Sequence, residues 1–324
     1  MKKVFVVGHN GMVGSAIFRK LKQKKHIELI TAEKNKLNLI DQNQVKRFFN
    51  RNKIDEVYFC AAKVGGINAN NIYPADFIFE NLQMELNVIN SSFKAGIKKL
   101  LFLGTSCAYP KYADQPIKED QLLKGYLEKT NEPYALAKLS GLKMCESYNR
   151  QFKKKYSIDY RSVMPTNIYG PGDNYNLENS HVVPALIRKM HEAKEKNLKQ
   201  VKVWGTGKAK REFLFVEELA DACIFVMNLS KKKFYGLKEQ NLHHINIGTG
   251  KDLSIKDLVN KIKSIVGFEG KIEFQKDFPD GTPRKVLDIS RIEKLGWKSK
   301  INLDEGLKKT YENYLDNINN LRNK

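Results

Sequence analysis

The stretch Val4-Phe5-Val6-Val7-Gly8-His9-Asn10-Gly11-Met12-Val13-Gly14 decides the fold. Four apolar residues run straight into a glycine, as a short strand buried on both faces would. Beyond the loop, Val13, Ile17 and Leu21 recur at the spacing of one helix face. The glycines between, Gly8, Gly11 and Gly14, allow a tight turn and close backbone approach. The helix start then offers free N–H groups to a pyrophosphate. His9, Asn10, Met12 and Val13 complete this expected cofactor loop, with His9 contributing backbone rather than acid or base chemistry.

Further along, Glu28-Leu29-Ile30, Val57 to Ala62, Leu100 to Leu103 and Arg161 to Met164 are apolar or β-rich runs separated by longer segments with helical spacing. Apolar strands alternating with helices predict an α/β fold, a Rossmann-like doubly wound parallel sheet covered on both sides. After about residue 170 the chain becomes loopier, through Tyr169-Gly170-Pro171-Gly172-Asp173-Asn174 and again from Gly248-Thr249-Gly250. These pieces predict a smaller C-terminal substrate-binding domain. The expected division is 1–168 plus about 212–246 for the cofactor domain, and about 169–211 plus 247–324 for the other.

Composition excludes several classes. The 324 residues are 41% hydrophobic by count and 29% charged, and no run approaches a membrane span. The apolar N-terminal run is too short for a secretory signal, so a cytoplasmic location is expected, with no membrane partner. Lys+Arg 57 against Asp+Glu 36 leaves +21, but the lysines are scattered and no basic run interleaves with aromatics. That reads as a solvated surface and predicts no nucleic-acid partner. Cys60, Cys107, Cys145 and Cys223 include no Cys-x-x-Cys pair and read as reduced thiols. No cluster of histidines or carboxylates suggests a metal.

The catalytic signal is Tyr134-Ala135-Leu136-Ala137-Lys138, a phenol and an ammonium stacked one helical turn apart. A lysine beside a phenol favours phenolate and would bring Tyr134 toward proton exchange near neutrality. Thr105-Ser106-Cys107 follows the Leu100 to Leu103 run, at the strand end where such folds bind ligands. Phosphate loop, strand-end hydroxyl and Tyr/Lys pair together resemble an extended short-chain dehydrogenase/reductase.

A narrower resemblance rests on Ala61-Ala62-Lys63-Val64-Gly65-Gly66-Ile67, Tyr73-Pro74-Ala75-Asp76-Phe77-Ile78, Thr130-Asn131-Glu132-Pro133-Tyr134, Cys145 to Arg150, Asn179-Ser180-His181 and Asp280-Gly281-Thr282-Pro283-Arg284-Lys285. These motifs are similar to those of the GDP-L-fucose synthase family, the GDP-4-keto-6-deoxy-mannose 3,5-epimerase/4-reductases. The resemblance implies that Tyr134 protonates the C4 oxygen, Lys138 holds the cofactor ribose, and Thr105 hydrogen-bonds the same oxygen. Cys107 and His181 correspond to the epimerisation pair. Cofactor contacts are further implied at Lys34, Leu39, Leu103, Gly104, Pro165, Asn167, Ile168 and His181. Lys189, Trp204, Arg211, Asp280 and Lys285 are implied for the GDP-sugar.

Three positions depart from the family pattern: Thr105 where serine is usual, Lys189 where arginine is expected, and Asn10 where the loop would carry an arginine. Glu33, near the end of the second strand run, suits the ribose hydroxyls of NAD, whereas Lys34 suits a 2′-phosphate. NADP(H) is the expected cofactor, with NAD(H) the other candidate. The expected reaction is C4 reduction of a GDP-linked 4-keto-6-deoxy sugar with C3/C5 epimerisation. The alternative is a reductase without epimerase activity acting on a related GDP-4-keto-6-deoxy-heptose. No acidic residue stands beside Thr105 for 4,6-dehydratase chemistry. A homodimer through Ala75 to Phe93 and Tyr134 to Phe152 is implied by the resemblance.

Overall fold

Strands β1 (Lys2–Val7), β2 (Ile27–Ile30), β3 (Glu56–Phe59), β4 (Lys99–Leu103), β5 (Asp159–Pro165) and β9 (His244–Ile247) build one sheet in the order β2-β1-β3-β4-β5-β9. All its pairings are parallel. The structure, a computed structural model, describes residues 1–236 and 242–321. Residues 237–241 and 322–324, parts of the two expected domain ranges, lie outside the described residues.

The expected doubly wound sheet is present. Every residue of β3, β5 and β9 is buried, as strands covered on both faces must be. On one face α1 (Met12–Lys22) packs against α7 (Val216–Asn228). On the other, α4 (Pro74–Lys94) lies along α5 (Glu132–Tyr156) and beside α2 (Gln42–Arg51). Because the chain passes from β1 outward to β2 and then back to β3, a crevice opens at the carboxyl ends of β1 and β3.

Strand β9 has no clear apolar signature in the sequence. His244 and Asn246 are polar, yet both are buried. A loop satisfies them: His244 Nε2 lies 3.1 Å from the Glu119 carbonyl, the Asn246 N–H donates to Glu119 Oε1 at 3.0 Å, and Tyr109 donates to Asn246 Oδ1 at 2.6 Å.

The remaining strands form two smaller sheets. In one, β8 (Lys210–Phe215) pairs with β6 (Asn167–Tyr169), β10 (Asp252–Ser254) and β12 (Arg284–Lys285). In the other, β7 (Gln200–Trp204) pairs with β11 (Lys271–Gln275). Helices α6 (Val182–Glu195), α9 (Ile255–Val266) and α11 (Leu303–Asp316) share a separate apolar core with β7 and β8. Ile292, in the short helix Ser290–Leu295, and Trp297 pack into the α1/α7 core instead. Buried Glu212 ties the pieces together, its carboxylate accepting from the backbone N–H groups of Thr249, Gly250 and Leu287.

Candidate active site

The glycine loop is shaped for a close backbone neighbour. Gly8 has φ +84, and a Cβ there would come within 2.8 Å of the Ala61 backbone. A Cβ on Gly14 would lie 2.1 Å from the Gly8 carbonyl oxygen, so the loop and the first turn of α1 can touch only without side chains. Gly11, the N-cap of α1, is extended and has no side-chain cap, which leaves the N–H groups at Met12, Val13 and Gly14 pointing outward. His9 Nδ1 is buried without a hydrogen-bond partner among the described residues, while Asn10 is exposed. An uncapped helix start, a glycine cradle and an orphaned nitrogen fit a dinucleotide pyrophosphate.

Most of the other expected cofactor contacts lie at the carboxyl ends of β4 and β5 or just beyond them. Leu103 ends β4, Pro165 ends β5, and Asn167 and Ile168 open β6. At Gly104 a Cβ would lie 2.9 Å from the Val163 carbonyl oxygen. Asn167 donates to the Glu212 carbonyl at 2.8 Å, and Leu39 packs on the core below α2, its carbonyl accepting from Asn87. Glu33 and Lys34 are both exposed.

Thr105 lies at the centre of the hydroxyl chemistry. It caps the 3₁₀ turn Ser106–Ala108, its Oγ1 accepting from the Cys107 N–H at 3.2 Å. The Thr105 side chain also lies close enough to Tyr134, delivered by the first turn of α5, and to the Cys107 thiol to favour the charged form of each. Burial, followed by the negative neighbours Cys107 and Glu85, holds the Tyr134 phenol above its ordinary value. This corrects the expectation from the Tyr/Lys spacing. Lys138 does not pull Tyr134 toward phenolate, because its ammonium is turned into the core, 3.2 Å from Glu85 Oε1 and 4.1 Å from the Phe102 ring centre. Tyr134 is thereby kept protonated, as a proton donor needs to be.

Cys107 has a different environment. Burial pushes its thiol up, but the Lys285 ammonium, which also donates to it, the nearby Thr105 hydroxyl and Arg211 together outweigh it, so its pKa is lowered. Lys285 Nζ donates to Cys107 Sγ at 3.4 Å. Cys60, Cys145 and Cys223 are all pushed up by burial, Cys60 to about 12. Of the four, Cys107 alone has its pKa lowered, and a lysine ammonium donates to its sulfur. His181, the N-cap residue of α6, has an exposed outer edge. The protein packed around its ring, and then Lys285, hold its pKa below the ordinary value.

The expected GDP-sugar residues fall into two groups. Arg211 donates to the Asp280 carbonyl at 2.8 Å, and the Asp280 carboxylate accepts from the Thr206 N–H at 2.8 Å and the Thr206 hydroxyl at 2.6 Å. Lys285 sits opposite Arg211 in the β8–β12 register, which connects this group to Cys107. Lys189 lies 5.0 Å from the Trp204 ring centre, and Trp204 stacks on Phe278 at 4.7 Å with planes 3° apart. This aromatic platform is 39% exposed at Trp204 and can receive a flat ring.

Two features escaped the sequence. Lys285 had been expected at the substrate, not against the Cys107 thiol. Glu85 had not been singled out at all, although an acid among Phe77, Asn81, Met84 and Val88 on the buried face of α4 was a readable signal. Among the described residues no group of three His, Cys, Asp or Glu side chains could hold a metal ion, and no helix is long and apolar enough to cross a membrane.

Comparison with known proteins places this geometry. The profile of the NAD dependent epimerase/dehydratase family matches residues 4–248. GDP-L-fucose synthase of Escherichia coli (strain K12) is 51% identical over 99% of both chains. Among solved structures, GDP-mannoheptose C4 reductase from Campylobacter jejuni with NADP bound is 38% identical with TM-score 0.85, covering 97% of this chain and 98% of that one. The GDP-6-OMe-4-keto-L-xylo-heptose reductase of the same organism is 36% identical over the same shares, with TM-score 0.90.

Proposed function

The chain belongs to the NAD dependent epimerase/dehydratase family, with the GDP-L-fucose synthases its relatives at about half identity, and we propose that the Thr105, Cys107 and Tyr134 cluster carries out both halves of their reaction. It is an NADP-dependent oxidoreductase with epimerase activity that reduces C4 of a GDP-linked 4-keto-6-deoxy-hexose. The observation supporting this assignment is that one hydroxyl, Thr105, stands beside both a protonated phenol and a thiol whose pKa is lowered, with Lys285 donating to that thiol at 3.4 Å.

Each residue has a role that fits its environment. The nicotinamide, when bound, supplies the hydride for C4. Gly8 to Gly14 hold the pyrophosphate, Lys138 the ribose, and Lys34 the 2′-phosphate. Tyr134 transfers its phenolic proton to the C4 oxygen while Thr105 donates to the same oxygen. Before reduction, Cys107 as thiolate takes the acidic proton from a carbon beside the C4 carbonyl. The Tyr134 and Thr105 hydroxyls stabilise the enolate oxygen, and His181 returns a proton to the opposite face. Lys285 favours the thiolate. Arg211, and Lys189 with Trp204, receive the diphosphate and the guanine, and Asp280 orients Arg211.

We assign residues 1–168 plus about 212–246 to cofactor binding and about 169–211 plus 247–324 to the GDP-sugar, in a cytoplasmic homodimer. The dimer reading is supported by apolar side chains left open along α4 and α5, with Phe79 60% and Leu136 40% exposed. The test is incubation with NADPH and GDP-4-keto-6-deoxy-mannose in deuterated water, followed by product NMR. Deuterium at C3 and C5 of a C4-reduced sugar is expected, and Cys107→Ser should abolish the label while keeping reduction. Reduction without label in the wild type would replace this reading by that of a C4 reductase alone, the activity named for the two heptose enzymes from Campylobacter jejuni.

A further inference from the structure

Glu85 and Lys138 form an ion pair inside the protein, with 2% and 3% of their side chains exposed. They come from different helices, α4 and α5, and face each other across a slot walled by Phe102 of β4 and Phe59 of β3. The slot exists because position 141 on α5 is glycine. A Cβ there would lie 2.5 Å from Glu85 Oε2 and 2.5 Å from the Phe102 ring. A glycine in a helix interior costs about 1 kcal/mol relative to alanine, and here it leaves room for a carboxylate.

We propose that Glu85 is a positioning residue for the reduction, a buried counter-ion that fixes the Lys138 ammonium in its slot, one helical turn along α5 from Tyr134. The inference rests on the roles given above to Lys138 and Tyr134. An ammonium among aromatic rings with no counter-charge would shed its proton or leave the slot. Either outcome would withdraw it from the cofactor ribose.

The titratable groups facing the pair are few. Tyr134 and Cys145 come from α5, and Cys60 follows β3. Both thiols are neutral because burial pushes them up. Lys63, Asp76 and Glu80 pair with one another toward the N-terminal end of α4, and the segment before α2 meets α4 through the uncharged Asn87 amide, which donates to the Leu39 and Ile40 carbonyls. Burial pushes the Glu85 carboxyl up to about 7, with Lys138 opposing. Glu85 therefore ionises as the solution passes neutrality. Its negative charge then secures the ammonium and helps hold the Tyr134 phenol above its ordinary value.

This gives a signature that a purely structural residue would not produce. At pH 6 Glu85 is mostly protonated, so Glu85→Gln, which mimics that state, should weaken NADPH binding by less than about threefold. At pH 8.5 the same variant should lose about tenfold or more in NADPH affinity, and the alkaline limb of kcat should move down by about one pH unit. Glu85→Asp keeps the charge and should stay near wild type at both pH values. Gly141→Ala keeps both charged residues but crowds the carboxylate out of its place. It should follow Glu85→Gln in direction, and it serves if that variant fails to fold. NADPH binding is read by fluorescence without any sugar, so it reports on Glu85 even if GDP-4-keto-6-deoxy-mannose is not turned over, an outcome that would instead count against the functional reading. An equal loss at pH 6 and 8.5, or no loss at 8.5, overturns the proposal.

Discussion

Replacing Lys285 with methionine keeps most of the side-chain volume and removes the charge 3.4 Å from the Cys107 sulfur. Two unit charges at that separation attract by about 5 kcal/mol at an effective dielectric of about 20. At about 1.36 kcal/mol per pH unit this sets a ceiling of roughly three to four units on the thiol's titration. Arg211 and the Thr105 hydroxyl remain in the variant, and burial already opposes ionisation, so we expect the midpoint to rise by about two units. At a pH below both midpoints the thiolate fraction should then fall about a hundredfold. The more basic thiolate recovers about tenfold through its greater nucleophilicity, for a net loss of about tenfold in alkylation rate. The assay is iodoacetamide labelling against pH, read by mass spectrometry at the Cys107 peptide, with Cys60, Cys145 and Cys223 as slow internal controls because burial raises all three. Lys285→Arg should keep the wild-type midpoint. A midpoint within about 0.3 unit of wild type in Lys285→Met would refute the claim that this ammonium activates the thiol.

Tyr134→Phe keeps the ring and removes the proton donor, so turnover should fall by about two to four decades while GDP affinity, measured by calorimetry, stays near wild type. Glu33 and Lys34 are both exposed and oppose each other at the expected 2′-phosphate site. Steady-state kcat/KM should therefore favour NADPH over NADH by less than about a hundredfold, and Glu33→Gln should raise that ratio. His244 is 2% exposed, and its pKa is pulled down to about 4, chiefly by burial. The unfolded chain binds a proton there near the ordinary value of about 6.5 and the native state does not. The associated stability is thus complete above about pH 6.5 and is lost as pH falls toward 4, by about 3 kcal/mol. Urea titrations of wild type and His244→Gln across that window should differ in slope. Parallel curves would show that His244 stays neutral for free.

The sequence by itself determined the cofactor half of the molecule, because the interactions that specify it are local. Gly8, Gly11 and Gly14 set backbone conformations within one turn, and the periods of Val4 to Val7 and of Val13, Ile17 and Leu21 declare strand and helix over a few residues. The places of Thr105 and Tyr134 were legible for the same reason, since a strand end and a helix start announce themselves in short segments, whereas Cys107 was singled out only by the resemblance of its motif to the family's. The polar strand His244–Ile247 was not legible, because what makes it a buried strand is a loop more than a hundred residues away, where Glu119 and Ile117 take up its polar groups. Lys285 reaches Cys107 across 178 positions, through the pairing of β12 with β8. Lys138 had been assigned to Tyr134 by its helical spacing, yet its ammonium is held by Glu85 from another helix. A side chain as long as lysine can satisfy its charge in several directions, and local spacing says only where its Cα stands. Which carboxylate or thiol captures the charge is decided by the packing of α4 on α5 and of one sheet beside another, where low dielectric makes each such contact strong.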